Sequence, residues 1–262
     1  MHNLIRADLF TLRHSTGVRV SLLVAVVAAV GYVYLAHQIA TGALEPSAAD
    51  SASVLSDVMV VYLLGSLLAG IVVATDFDTK TIHDALLSSS RAALVATKTV
   101  VLVAVVASLV APYGLVALVG FLSGQEFTAF LPTVFLSIVA NEQGLPADAG
   151  SVGTIVVVVA ATMLVYAARL SICLPLAFAV KRPVAVMAVG FGGNFLVDFV
   201  ATLVVDVPVL GDLVGLTPFG PTHSLTLASD AGDLLAAAGA SIVFLALMAG
   251  ASYLIFRRAD IK

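Results

Sequence analysis

The sequence predicts an all-α polytopic membrane protein with six transmembrane helices, an N-terminal interfacial helix and both termini in the cytoplasm. Three observations predict it. Of 262 residues, 61% are apolar and only 11% are charged, against roughly half and about a quarter in soluble domains; mean hydropathy is +1.12. Apolar runs long enough to cross a hydrocarbon core of about 30 Å as helices recur six times along the chain. Basic residues fall in alternate connecting segments. Composition excludes a soluble enzyme, a disordered chain and a nucleic-acid binder, since 12 Lys and Arg face 16 Asp and Glu. Six spans consume the length, so residues 1–262 form a single transmembrane domain.

Residues 2–16 precede the first span. Ile5, Leu9, Leu12 and Thr16 make a narrow apolar stripe, with Arg6 and Arg13 on one side and Asp8 on the other. That pattern suits either a helix lying in the cytoplasmic headgroup layer or a plain positively charged anchor. The spans follow at about 20–40, 58–75, within 99–124 (interrupted by Pro112), inside 151–180 (with Arg169 and Pro175), 183–205 (with Asp198) and 234–256. Lipid cannot satisfy free backbone groups, so such runs are helices, and the alternation of a β-barrel is absent. The first run exceeds a signal-peptide core and is read as retained.

Orientation follows from Lys and Arg alone. Arg6, Arg13, Arg19, Lys80, Arg91, Lys98, Lys181, Arg182, Arg257, Arg258 and Lys262 all fall in alternate segments, and the opposite loops (41–57, 125–150, 206–233) hold none. Those loops carry ten acids, among them Asp57, Glu142, Asp148 and Asp206. Residues 127–140 are apolar but short and contain Pro132; a seventh span there would put the later basic segments outside. They read as an outer or partly buried short helix. The outer segment 208–228, rich in Pro and Gly, is a second candidate to dip into the membrane.

The loop at 76–98 is the longest cytoplasmic segment. Helical spacing puts Ile82, Leu86 and Leu87 on one face, with Lys80, His83 and Asp84 away from it. The loop is either a solvated turn or a docking helix whose apolar anchors enter a partner's groove. At these residues the chain resembles the membrane subunits of ABC transporters of the ABC-2 exporter type. Phe77, Thr81, Ile82, Leu86, Leu87, Arg91 and Lys98 stand where that family's loop after the second span has its characteristic residues; Lys80 stands in place of a Gly, and no Pro follows Leu87. Asn3–Arg13, Leu216–Pro221 and Phe256–Lys262 also look like parts of such subunits. The resemblance implies a non-catalytic permease working by alternating access. Phe77, Thr81, Ile82, Leu86, Leu87 and Arg91 would form the coupling loop to a separate cytoplasmic ABC ATPase, with a homodimer or a heterodimer of related permeases in the cell membrane. ATP and magnesium would be bound by the partner; the chain has no Gly-x-x-x-x-Gly-Lys-Ser/Thr loop, and no cofactor is expected in it.

Polar groups inside the spans are the remaining candidates. Arg169 lies twelve residues before Lys181, roughly 18 Å from that end at 1.5 Å per residue, and Asp198 lies sixteen residues past Arg182, roughly 24 Å. A pair between them is geometrically allowed. On the fifth span Gly190, Asn194, Asp198 and Thr202 recur every fourth residue, a stripe that should face protein or a water-filled cavity; Gly192 and Gly193 add close-approach positions. The stripe is either a polar clamp or part of a translocation path. Gly65/Ala69 and Ser66/Gly70 on the second span permit close helix packing. The lone Cys173 excludes an internal disulfide, and the five dispersed histidines have no metal-ligand spacing. Two other classes compete with the exporter. One is a secondary transporter coupled through Arg169 and Asp198, against which no repeat relates the halves; the other is a non-transporting membrane immunity or scaffold protein. The transported substrate is not encoded in any motif.

Overall fold

The computed structural model describes residues 2–79, 81–129, 132–140, 149–220 and 223–258. It is all-α, and six of its helices are long and apolar enough to cross a membrane: Thr16–Ala40, Ala48–Asp78, Arg91–Ser123, Gly150–Val180, Pro183–Val204 and Ala231–Arg258. Lys80, Glu142, Asp148, Pro221 and Lys262, all used in the sequence reading, lie outside the described residues.

Local chemistry sets the helix ends. Ser56 and Ser90, both extended, accept from Met59 N and Ala93 N and start the long helical parts of the second and third spans. Gly124, at φ 64°, closes the third span in the left-handed conformation. Pro183 occupies the first turn of the fifth span, where a missing N–H costs nothing. The fourth span breaks at Ser171–Ile172. Pro175 has no N–H to give Ser171 O, and Leu174 N takes that carbonyl instead, at 2.9 Å, tightening the turn. Pro112, by contrast, sits inside an unbroken helix. The second span carries a π-helical turn at Gly70–Ala74. A Cβ at Gly70 would lie 2.7 Å from the Pro183 carbonyl, so this glycine is what lets the start of the fifth span approach.

Burial ranks the spans. Two-thirds (67%) of the second span's apolar window is buried, against 50% for the third and fourth, 33% for the first, 22% for the fifth and 17% for the sixth. The second, third and fourth spans therefore make the core, and the other three flank it. Apolar residues still exposed on the flanking spans, such as Leu23, Val27, Leu196, Phe199, Ile242 and Leu247, belong to the surface a membrane covers. The small residues of the second span pack within the chain. Gly65 meets Leu170, and Gly190 meets Cys173 and Ser66. Gly192 and Gly193, expected at close approaches, face open space, because the fifth span turns only its Gly190–Asn194 face toward the core.

The segments with Lys and Arg gather at one end. His2–His14 forms the expected N-terminal helix, but its buried stripe is not the one read from the wheel. Leu12 is buried and Ile5 packs against the core, while Leu9 is 41% exposed. Asp8 takes the inward position because Lys98 is there to meet it: Lys98 Nζ, almost fully buried, lies 2.9 Å from Asp8 and 2.6 Å from Asp76. One ammonium thus joins the N-terminal helix, the end of the second span and the start of the third. Arg91 donates to the carbonyls of Phe256 (2.9 Å) and Arg257 (2.7 Å), closing the end of the sixth span.

Candidate functional sites

At the opposite end, the short helix expected within 127–140 is found at Phe135–Ala140, with Phe135, Leu136 and Ile138 buried. What holds it is Asp57, which the sequence reading placed among the outer-loop acids. Asp57 is fully buried. It accepts from Thr133 Oγ1 (2.9 Å), Val134 N (3.0 Å), Phe135 N (3.1 Å) and Tyr166 Oη (3.0 Å). Every partner is a donor, as an acceptor-only carboxylate requires. The acid at the start of the second span thereby fixes the outer segment onto the fourth. Position in sequence gave no sign of this, because a carboxylate just outside an apolar run looks like any other solvated loop charge.

Next to it lies the pair anticipated within the membrane. Arg169 Nη1 stands 3.7 Å from Asp198 Oδ1, and a residue absent from the sequence reading completes the contact. Tyr62 Oη donates to Asp198 Oδ2 at 2.6 Å and accepts from Arg169 Nη1 at 3.2 Å. Arg169 Nε donates to Pro218 O at 2.8 Å, and its guanidinium lies 5.4 Å from the centre of the Phe219 ring. The segment 208–228 therefore does reach inward: Phe219, His223 and Leu225 are buried, and His223 Nε2 is 2.9 Å from Gly215 O. Arg169 and Asp198 open onto a cleft of about 350 Å³ whose walls come from the second, fourth and fifth spans and both outer segments.

The four-residue stripe of the fifth span divides along its length. Gly190 and Asn194 are buried against the second and fourth spans, where Asn194 Nδ2 donates to Gly190 O at 2.8 Å and Cys173 Sγ approaches Ser66 Oγ at 3.6 Å. Asp198 faces the cleft. Thr202 stands exposed at the cleft wall, its hydroxyl spent on the Asp198 carbonyl. Among the described residues no group of three or more His, Cys, Asp or Glu is placed to hold a metal ion.

The residues of the 76–98 loop separate into two groups. Phe77 is packed edge-on against Phe178 (5.8 Å) and Phe256 (5.9 Å), with Lys181 Nζ 5.4 Å over its ring. A short helix forms at Ile82–Ser88. Its Ile82 is 2% exposed and its Leu86 packs against the core, whereas Leu87 is 88% exposed. The expectation that Ile82, Leu86 and Leu87 share one face is thus corrected. Residues 82 and 86, four apart, lie on one stripe and use it on the chain's own bundle; Leu87, a further 100° round, points away. Thr81 is exposed, with its hydroxyl 3.1 Å from that of Thr79.

No family model matches the chain, and no match is found among curated proteins.

Proposed function

We propose that the chain is the permease subunit of an ABC-2 type, ATP-driven exporter of the cell membrane, non-catalytic itself, with the basic end and both termini in the cytoplasm. The supporting observation is the way the 76–98 segment is built into the bundle. Phe77, Ile82, Leu86 and Arg91 tie it to the fourth and sixth spans and the core, Lys98 ties it to the N-terminal helix, and Leu87 stays free on the outside. A segment so anchored can pass a push from a docked ATPase to several spans at once, while a merely solvated loop would yield. Two such subunits, identical or related, would enclose the path and bind two ATPases that hold ATP and magnesium.

The docking role falls to Leu87 and not to its neighbours. Leu87→Glu should leave the subunit folded and inserted but lower ATPase co-purification and ATP-driven transport, at about 2–4 kcal/mol for a central anchor. Leu86→Glu should instead destabilise the subunit itself. Full coupling in the folded Leu87→Glu protein would remove the loop from the mechanism.

The Arg169–Asp198 pair beside an open cleft favours a second reading, a secondary transporter in which the pair carries the coupling. Reconstituted transport that runs on an ion gradient without an ATPase would select it.

A further inference from the structure

The cleft beside Arg169 and Asp198 has an uneven balance of charge. Of the two ionic side chains on its wall, Asp198 is the more open, 28% exposed against 14% for Arg169. Arg169 is held back, its Nε on the Pro218 carbonyl, its Nη1 on Tyr62 and Phe219 against its guanidinium. Asp198 is not so fully engaged. Oδ2 takes the Tyr62 hydroxyl, but Oδ1 has Arg169 only at 3.7 Å, beyond hydrogen-bond length, and a carboxylate offers about four lone-pair sites. Behind the Thr133–Val134 wall sits Asp57. Two acids and one base therefore surround the cleft among the described residues. The described parts of the three loops at this end contain no Lys or Arg, so the field over the mouth attracts cations. The rest of the lining is largely apolar, with Val58, Ala201, Val205 and Phe219, and about 350 Å³ lies within the usual range for a small-molecule site.

We propose that this cleft binds a lipophilic organic cation, its charge at the open edge of Asp198 and its apolar body against Val58, Ala201, Val205 and Phe219. Arg169 acts as the built-in counter-ion when the site is empty, keeping Asp198 from being an unpaired charge, and its loose 3.7 Å contact leaves the ligand room to share the carboxylate. That such a cation is cargo rests on the exporter reading; that it binds does not.

The test uses two ions of the same shape and opposite charge, tetraphenylphosphonium and tetraphenylborate, on the full chain in neutral-lipid nanodiscs, with empty nanodiscs subtracted. Saturable, self-competed binding is expected for the phosphonium only. Asp198→Asn should weaken it at least about tenfold, the effect of one modest charge contact, and Asp198→Glu should retain it. Val205→Trp, which fills the cleft and leaves both charged side chains in the sequence, should block it; this variant decides the matter if Asp198→Asn gives no folded protein. Equal binding of both ions, or phosphonium binding unchanged in Val205→Trp, would overturn the proposal. Phosphonium binding without ATP-driven export would leave the site standing and sink the exporter reading; export of other compounds by a subunit that binds no phosphonium would do the reverse.

Discussion

Asp57 is the strongest point from which to test the architecture, since four hydrogen-bond donors converge on it. Asp57→Ala removes the acceptor shared by Thr133 Oγ1, Val134 N, Phe135 N and Tyr166 Oη. A buried donor left without a partner costs about 1–3 kcal/mol. The two hydroxyls can rotate toward other acceptors, but the two backbone amides are fixed at the head of the Phe135–Ala140 helix, so they alone set the cost at about 2–6 kcal/mol. Asp57→Asn keeps one carbonyl oxygen but turns an NH₂ donor toward a ring of donors, and should lose about half as much. Reversible unfolding in mixed micelles measures both. Limited proteolysis adds a local reading, because the outer segment should be cut faster than the spans it leaves. The order wild type, Asn, Ala is required; an alanine variant within about 1 kcal/mol of wild type would refute the clamp.

The ion pair gives a second prediction: Asp198→Asn and Arg169→Gln should each destabilise by about 1–3 kcal/mol, less than for a sealed pair because the cleft admits water, and the double variant should recover much of the loss. Purely additive losses in the same unfolding assay would mean that the two residues do not interact. Gly70→Ala and Gly190→Ala should cost about 1–3 kcal/mol each, since their methyls would meet the Pro183 carbonyl at 2.7 Å and Cys173 Sγ at 2.6 Å. Gly192→Ala, with nothing nearby, should stabilise the single chain by up to about 1 kcal/mol through helix propensity, and thermal unfolding separates the two groups. In a Cys173→Ser background, a cysteine at the exposed Ser51 should react with an impermeant thiol reagent in intact cells and one at the exposed Thr79 should not; the opposite pattern would invert the orientation.

The spans were legible because lipid imposes one requirement on every residue of a run, and hydropathy reads it directly. The charge of the loops was legible because Lys and Arg segregate to alternate segments, and the structure brings the basic segments together through Lys98, Arg91 and Lys181. Helical rise alone left Arg169 and Asp198 about 6 Å apart in depth; the side chain of Arg169, on a span broken at Ser171–Ile172, closes that difference. Less legible was which polar side chain turns inward. Asp8 displaced Leu9 from the buried stripe, and Tyr62 entered the ion pair, because each choice depends on a partner from a distant part of the chain. A tyrosine in an apolar run carries no mark of whether its hydroxyl meets lipid headgroups or a buried carboxylate. The face shared by Ile82, Leu86 and Leu87 was drawn too wide for a simpler reason. Two leucines in succession always satisfy a loose helical face, and only the packing of Ile82 and Leu86 shows where that face ends.

The second span connects these features. Asp57 at one end fixes the outer segment, Tyr62 one turn further bridges the ion pair, and Asp76 at the other end meets Lys98. Between Tyr62 and Asp76 lies the π-helical turn at Gly70–Ala74, where the regular ladder is already interrupted and where Gly70 rests on the backbone of Pro183. Helices bend most readily where such a turn has replaced the i to i−4 ladder. In the proposed exporter, a displacement delivered to the 76–98 segment would meet this turn before it reached the ion pair. The hinge and the cleft then lie in series on one span, so a bending second span would disturb first the Ser66–Cys173 contact and next the Arg169–Tyr62–Asp198 contact, and Asp57 is the last group that would hold it in place.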